Sequence, residues 1–346
     1  MELDIKATTV TPLCQIYGVE ERQIAGNTAK TNVTAIQTLP FFIKHGEDTK
    51  SVKIPVFTGN GFRGNLRRQA TKLLIDKALE KGHSLGKNSL SVAKSFHAMN
   101  AGSSVTYTNV SFDKEDEIRA LNPVVSLLGT SLAISGKIAV SPLVPRKFNT
   151  ETGELEHYVA VSSNNHMYST VTSMKTSYKK DDIINNGIFS AALGEEVHKD
   201  WEQLVKDSKD NSEASNLGAG HVLTHEEISS GVDMYGSIIP SAPLTDIEKG
   251  LLLTSLINLT KKPLGALSAS GRGKMDFTIV INGRSHDDND GVIRTSWNEY
   301  GSRVVVNADL SKKAQGYIDS FNEWLEDLSE ESIQVEKILT EFELTK

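Results

Sequence analysis

The first alternation of apolar and polar residues is Leu3-Asp4-Ile5-Lys6-Ala7, the period of a half-buried strand, so the chain is expected to open with one. Gly18 to Asn32 is polar and turn-rich and reads as a long loop. Val52 to Phe57 is extended again but carries Pro55, which demotes it to an edge strand or a short run-in. A helix follows. Thr58 and Asn60 can cap it, Gly82 can end it, and Phe62, Leu66, Ala70 and Leu73 fall on one stripe. Arg63 and Arg67 flank that stripe on one side and Arg68 and Lys72 on the other. After Gly82 the chain is rich in Ser, Gly and Lys to about Asn109 and acidic to Arg119, an expected insertion with short helices. Leu132 to Val140 reads as a strand around a bend at Gly136. Lys147 to about Ala219 is polar and poor in core residues, apart from a helix-like stretch at Val197–Val205. From His221 a long strand or hairpin is expected, because Ile228, Val232, Met234 and Ile238 recur at even spacings. Thr245-Asp246-Ile247-Glu248 is a capping box. It opens an apolar helix (Leu251, Leu252, Leu256, Ile257) that Lys261, Lys262 and Pro263 close. A Gly/Ser loop then leads into a strand at Met275–Ile279, and an acidic amphipathic helix is expected from about Gln315 to Thr340.

Without the insertions the order is strand, helix, strand, strand, helix, strand. That is the ferredoxin-like α+β order shared by RNA-recognition modules. The expected organisation is a discontinuous core of residues 1–81, 120–146 and 219–346, a helical or finger-like insertion at 82–119, and a second insertion at 147–218. A length of 346 residues fits about two domains, or one core with large insertions. A hydrophobic share of 38% and a charged share of 23% exclude a disordered chain. No apolar run approaches the roughly 20 residues of a membrane span. The start carries acids at Glu2 and Asp4 without a signal-peptide pattern, and the one cysteine, Cys14, excludes an intrachain disulfide. A cytoplasmic protein without membrane partners is expected.

The net charge of −7 argues against a nucleic-acid binder until its distribution is considered. Acids gather at Glu115–Glu117, Asp287–Asp290 and after Glu323. Bases gather at Arg63, Arg67, Arg68, Lys72 and Lys77, at Lys175, Lys179 and Lys180, and at Arg272 with Lys274. Affinity for a polyanion follows the local patch rather than the sum.

Gly59-Asn60-Gly61-Phe62-Arg63-Gly64 matches G-x-G-x-x-G at the start of a helix. A dinucleotide site there would need an apolar strand after the helix ending in an acid, whereas Glu80 lies within the helix itself. Two further readings stand beside it: glycines for a tight turn, or an anchor for RNA phosphates at a helix start. Ser268-Ala269-Ser270-Gly271-Arg272-Gly273-Lys274 ends like a triphosphate-binding loop, but the next residue is Met275 and the loop joins a helix to a strand. It reads as a basic phosphate contact or a plain connector. His221, His225 and Glu226 lack the order of a helical metal site, and Cys14 has no identifiable histidine partner.

Taken together, Ile54-Pro55-Val56-Phe57-Thr58-Gly59-Asn60-Gly61-Phe62-Arg63-Gly64-Asn65-Leu66-Arg67-Arg68 resembles the helix of the CRISPR RNA-binding backbone subunits of the repeat-associated mysterious protein superfamily. Leu127-Leu128-Gly129-Thr130 with Gly136–Ser141 is similar to a second block of that family, and Leu267 to Asp276 to its late glycine-rich loop. The first motif and the length look most like type IV proteins, then type I-D. The resemblance implies an RNA-recognition-like palm with finger and thumb insertions, and copies stacked in a filament along one guide RNA. Other effector subunits would be partners, and target DNA or RNA would pair with the guide. It implies guide contacts at Asn60, Gly61, Arg63, Arg67, Arg68, Lys72, Ser268, Ser270, Arg272 and Lys274. The thumb would fall at Met174–Lys180, with Met174, Lys175, Tyr178, Lys179 and Lys180 as its residues and Met174 or Tyr178 as its apolar wedge. Because Arg67 and Arg68 lie off the apolar stripe, replacing both is expected to weaken RNA binding without unfolding the chain. Relatives of type III cut target RNA with an aspartate in the loop after the first strand. No Asp occurs here between Asp4 and Asp48, so no catalytic residue, metal or cofactor is expected. Glu20 and Glu21 keep an endoribonuclease as the alternative, and a dinucleotide-dependent oxidoreductase is the alternative of another class.

Overall fold

The computed structural model describes residues 1–23, 30–45, 48–83, 111–130, 134–149, 151–152, 155–157, 171–179, 193–210, 221–281, 293–297, 304–307 and 312–328. In chain order the elements are β1 (Leu3–Thr9), β2 (Ile16–Gln23), β3 (Lys30–Ile36), β4 (Thr38–His45), β5 (Asp48–Pro55), α1 (Gly59–Glu80), α2 (Phe112–Leu121), α3 (Pro123–Leu128), β6 (Ile138–Val140), β7 (Val144–Phe148), β8 (Leu155–His157), β9 (Thr172–Lys179), α4 (Glu195–Asp210), β10 (His221–Ile228), β11 (Asp233–Pro240), α5 (Asp246–Thr260), β12 (Met275–Ile281), β13 (Ile293–Trp297), β14 (Val304–Asn307) and α6 (Lys312–Glu326). They form two compact units: Met1–Gln15, Gln37–Val171 and Ile228–Lys346 in one, Ile16–Ile36 and Thr172–Glu227 in the other.

The main sheet of the first unit runs β14-β13-β12-β1-β11-β7-β8, with β6 also paired to β11. At its centre, β12-β1-β11-β6/β7 is the ferredoxin-like order, and every one of these pairs is antiparallel. The expected strand–helix–strand–strand–helix–strand core is therefore present, and the fold is α+β with an RNA-recognition-like core. Strict alternation puts Leu3, Ile5 and Ala7 in the core. The other face of β1 carries Asp4, Lys6 and Thr8, which face Ser237, Tyr235 and Asp233 of β11.

Helix α1 buries Phe62, Leu66, Ala70, Leu74 and Ala78. The stripe thus continues at Leu74; the expected Leu73 is only half-buried, because a straight helix drifts towards the i+4 positions. Lys77, grouped by sequence with the exposed bases, is buried and paired with Glu326 at 2.6 Å and Glu80 at 3.2 Å. The capping box of α5 forms as expected: Thr245 Oγ1 accepts from Glu248 N, and Glu248 Oε2 accepts from Thr245 N at 2.7 Å.

Four expectations are corrected. The loop expected over Gly18–Asn32 is largely the antiparallel pair β2–β3, with residues 24–29 outside the described residues. Ile16, Tyr17 and Val19 on β2 are exposed, so this edge strand lacks the half-buried alternation that betrays a strand, and Gly18 marks a register shift rather than a turn. Leu132–Val140 is strand only at Ile138–Val140; residues 131–133 lie outside the described residues, and Ser135 and Gly136 are held in a turn by side chains described below. Strands β10 and β11 do not pair. β10 belongs to the second unit's sheet, order β2-β3-β10-β9, where it runs parallel to β3. Helix α6 starts at Lys312, three residues before the expected Gln315, and the expected residues beyond Leu328 lie outside the described ones.

The chain leaves the first unit twice, each time between bonded neighbours. Gln37 N donates to Gln15 O (3.0 Å), Ser229 N to Val171 O (2.8 Å), and Leu13 and Ile228 exchange both backbone hydrogen bonds.

Helices α5 and α6 pack closely at Gly250, where an added Cβ would lie 2.0 Å from Tyr317 O and 2.6 Å from Phe321 Cβ. Gly250→Ala gains about 1 kcal/mol of helix propensity but overpacks a backbone contact, at a cost of about 1–3 kcal/mol. A lowered urea midpoint is expected; a raised one would show that the contact yields.

Candidate nucleic-acid interface

Helix α1 begins where Thr58 caps it: Thr58 Oγ1 accepts from Gly61 N at 3.1 Å. Gln15 grips the same residue from both sides. Its Nε2 donates to Thr58 Oγ1 at 2.6 Å, and Thr58 N donates to its Oε1 at 2.7 Å. Asn60 is not the cap but an exposed residue of the first turn. An added Cβ at Gly59 would lie 2.1 Å from Val140 O, so glycine lets the helix start against β6. Asn65 Nδ2 donates back to Gly61 O at 2.8 Å and its Oδ1 accepts from Arg68 at 2.7 Å.

One side of α1 borders a cleft of about 670 Å³, formed with the end of α3 and the turn that follows. Asn60, Arg63, Gly64 and Arg67 line it from α1; Leu128, Gly129, Ile134, Gly136 and Ile138 are among the residues opposite. The last carbonyls of a helix have no partner within it and carry the negative end of its dipole. Here arginines supply both partner and charge. Arg63 Nη2 donates to Leu128 O at 2.7 Å, Arg67 Nη2 to Leu128 O at 2.5 Å and Arg67 Nη1 to Gly129 O at 2.7 Å. Arg119, paired with Glu115, donates to Ser126 O and to Ser135 O, holding the turn closed from behind. Gly136 is required because an added Cβ would lie 2.7 Å from Leu128 C and 2.8 Å from Leu127 O, backbone that cannot give way, besides 2.6 Å from Arg63 Nη2. Burial and then the neighbouring Arg63 charge push the Arg67 pKa below its usual value. Arg63 Nε is buried without a hydrogen-bond partner.

Beneath the turn, Lys137 pairs with buried Glu248 at 2.8 Å. Burial alone would raise the carboxyl's pKa. Hydrogen bonds from Lys137 and the Thr245 backbone N–H outweigh it and hold the group below the ordinary carboxylate range.

The second glycine loop is a short 3-10 turn, Ser268–Ser270, between Leu267 at φ 59° and Gly271 at φ 78°. Ser268 and Ser270 are exposed, Arg272 is half-buried, and Lys274 Nζ lies 5.2 Å from the centre of the Trp297 ring. None of these four lines the cleft. The loop is joined to the start of α1 through the backbone: Gly273 N donates to Pro12 O at 2.9 Å and Ala266 N to Cys14 O at 2.7 Å, one residue before Gln15.

Asn60, Arg63 and Arg67 therefore meet at one cleft with Gly61 in the adjacent turn, while Arg68 and Lys72 stand on an exposed face, Lys72 paired with Asp76 at 2.5 Å. The thumb candidates lie in β9 of the second unit. Met174 and Lys175 are exposed; the side chains of Tyr178 and Lys179, and all of Lys180, lie outside the described residues. The G-x-G-x-x-G segment forms the first turns of α1 itself, after a strand that pairs antiparallel with β4, so the parallel strand–turn–helix of a dinucleotide site is absent. His225 is buried against Glu227 at 3.2 Å, and no group of three or more ligand side chains suited to a metal occurs among the described residues. Sequence reasoning missed Gln15, which sits in no motif, and the α3 carbonyls. The latter had a signal, since the apolar run ending at Gly129 is a helix C-terminus.

No family model matches the chain, and no curated protein does. Among solved structures, a chain of a type IV-B CRISPR complex is similar at 16% identity, with 82% of this chain and 92% of that chain covered and a TM-score of 0.47. A likeness at that level assigns neither family nor activity. No helix among the described residues is long and apolar enough to cross a membrane.

The clamp corrects the expectation that Arg67 can be removed without structural cost. Arg67→Ala unmakes charged hydrogen bonds to two carbonyls, worth about 1.5–3 kcal/mol each. A chemical denaturation midpoint well below wild type is expected, and Arg67→Lys should recover little, since an ammonium cannot span both oxygens as the fork does. Equal midpoints for all three proteins would count against the clamp. For Glu248, the folded pKa is below the unfolded value of about 4.3. Its contribution is complete above that value and is lost as pH falls through the folded one. Glu248→Gln should therefore flatten the acid limb of stability against pH; an unchanged limb would contradict the assignment.

Proposed function

We propose that this protein is a non-catalytic backbone subunit of a CRISPR ribonucleoprotein complex that holds a guide RNA by phosphate and sugar, in a filament with further copies of itself. The observation that carries the reading is that the start of α1 and the Ser268–Lys274 loop, some 200 residues apart in sequence, are fastened to one short segment, Pro12–Gln15. Exposed bases on α1 and glycine turns beside it are what a holder of variable sequence needs, because contacts to phosphate and sugar carry no sequence information. The open face of the sheet supports the same choice. RNA-recognition modules stack bases on exposed aromatics of the central strands. Here β1 offers Asp4, Lys6 and Thr8, Lys6 is paired with Asp233 at 3.3 Å, and Tyr235 is buried. A sheet face carrying carboxylates repels a phosphate chain, which leaves the helix-and-loop side for the strand.

The test is fluorescence anisotropy with labelled single-stranded RNAs of unrelated sequence. Similar affinities are expected for all of them, with a steep fall as salt rises. Arg68→Ala with Lys72→Ala, both exposed and outside the clamp, should weaken all of them alike and lower the salt slope by about 0.7 for each phosphate no longer neutralised. Absence of binding at low salt would defeat the reading, and cleavage of guide-paired RNA in magnesium, abolished by Glu20→Gln with Glu21→Gln, would favour the endoribonuclease.

A further inference from the structure

We propose that copies of this chain join head to tail through the second unit, the β2 edge of one copy pairing with the β9 edge of the next. The sheet order β2-β3-β10-β9 leaves these two strands at its edges. An edge strand offers a row of backbone donors and acceptors to any strand that comes alongside, and a long apolar edge is an association site. β2 has no proline, and its register shift between Ile16 and Gly18 leaves Val19–Gln23 regular. It shows Tyr17 and Val19 to solvent, 67% and 66% exposed, beside exposed Glu20 and Glu21. Charge selects the occupant. β2 carries Glu20, Glu21 and Arg22, whereas β9 carries Lys175 and Lys179 and no acid. Two β2 edges together would add acid to acid, and two β9 edges lysine to lysine. Only β2 against β9 brings opposite signs together, and cross-strand pairs of opposite charge stabilise a sheet where like charges destabilise it. Met174, 44% exposed on β9, adds apolar surface to match Tyr17 and Val19. Because two different surfaces meet, each contact leaves one edge of either kind open, and the assembly continues beyond a dimer. A single strand pair is a small interface, so copies meet weakly alone and more firmly when one RNA holds both; only that reinforcement rests on the RNA-binding reading.

Sedimentation velocity of the full chain without RNA, over a concentration series into the millimolar range, tests the contact. The wild type should gain mass with concentration past a dimer. Val19→Lys sets a charge at an exposed edge position and should hold the chain as a monomer, with an unchanged circular dichroism melt. Charge reversal identifies the partner strand. One chain carries Glu20→Lys with Glu21→Lys, and the other Lys175→Glu with Lys179→Glu. Either chain alone opposes like charges at the junction and should stay monomeric. In an equal mixture every junction between unlike chains again joins opposite signs, and growth past a dimer should return. A wild type that stays monomeric, or stops at a dimer, would overturn the contact; so would Val19→Lys that associates like wild type, reversed chains that still associate alone, or a mixture that stays monomeric. Because RNA is absent, failure here is distinct from failure of the guide-holding reading. A monomeric wild type that binds RNA in the anisotropy test would leave that reading standing, and association without any RNA binding would leave only the contact.

Discussion

Three hydrogen bonds from two arginines to the last carbonyls of a six-residue helix organise the end of the molecule on which the functional reading rests. Helix α3 is too short to stabilise itself and its dipole ends in oxygen atoms with no partner of their own. Arg63 and Arg67, one turn apart on α1, meet that need with charge and geometry together. Their reach fixes the separation of α1 from Leu128 and Gly129, and the cleft lies there. Gly136 leaves space for one guanidinium, Arg119 closes the turn from the other side, and the Lys137–Glu248 pair ties its underside to α5.

This arrangement divides the basic residues of α1 into three groups. Arg63 and Arg67 are structural and line the cleft. Arg68 and Lys72 are exposed, with only weak local pairs that a polyanion can displace. Lys77 is buried and serves the junction with α6. Helical periodicity separates the first two groups, because residues 63 and 67 share a side that 68 and 72 do not. It does not reveal that the first side has a neighbour, since α3 and its turn lie about sixty residues further along.

The core was legible because its strands alternate cleanly and its second helix carries its own start signal. The strands read at Leu3–Ala7 and Met275–Ile279 are present, each two residues longer, and so is the capping box at Thr245, each being a local pattern with a single physical solution. Strand β2 was not legible: an edge strand satisfied by backbone pairing on one side leaves no apolar period to detect. The nearness of the second glycine loop to α1 was equally hidden, because it depends on Gln15 and on the backbone of Pro12 and Cys14, which carry no recognisable pattern.

Gln15 and Gln37, and likewise Val171 and Ser229, stand as bonded neighbours on either side of the excursions into the second unit. Such necks make that unit a graft rather than a girder. Its segments can be shortened, lengthened or exchanged during evolution while the scaffold remains sealed at both junctions. Changes in that unit can thus accumulate without placing the clamp on α1 at risk.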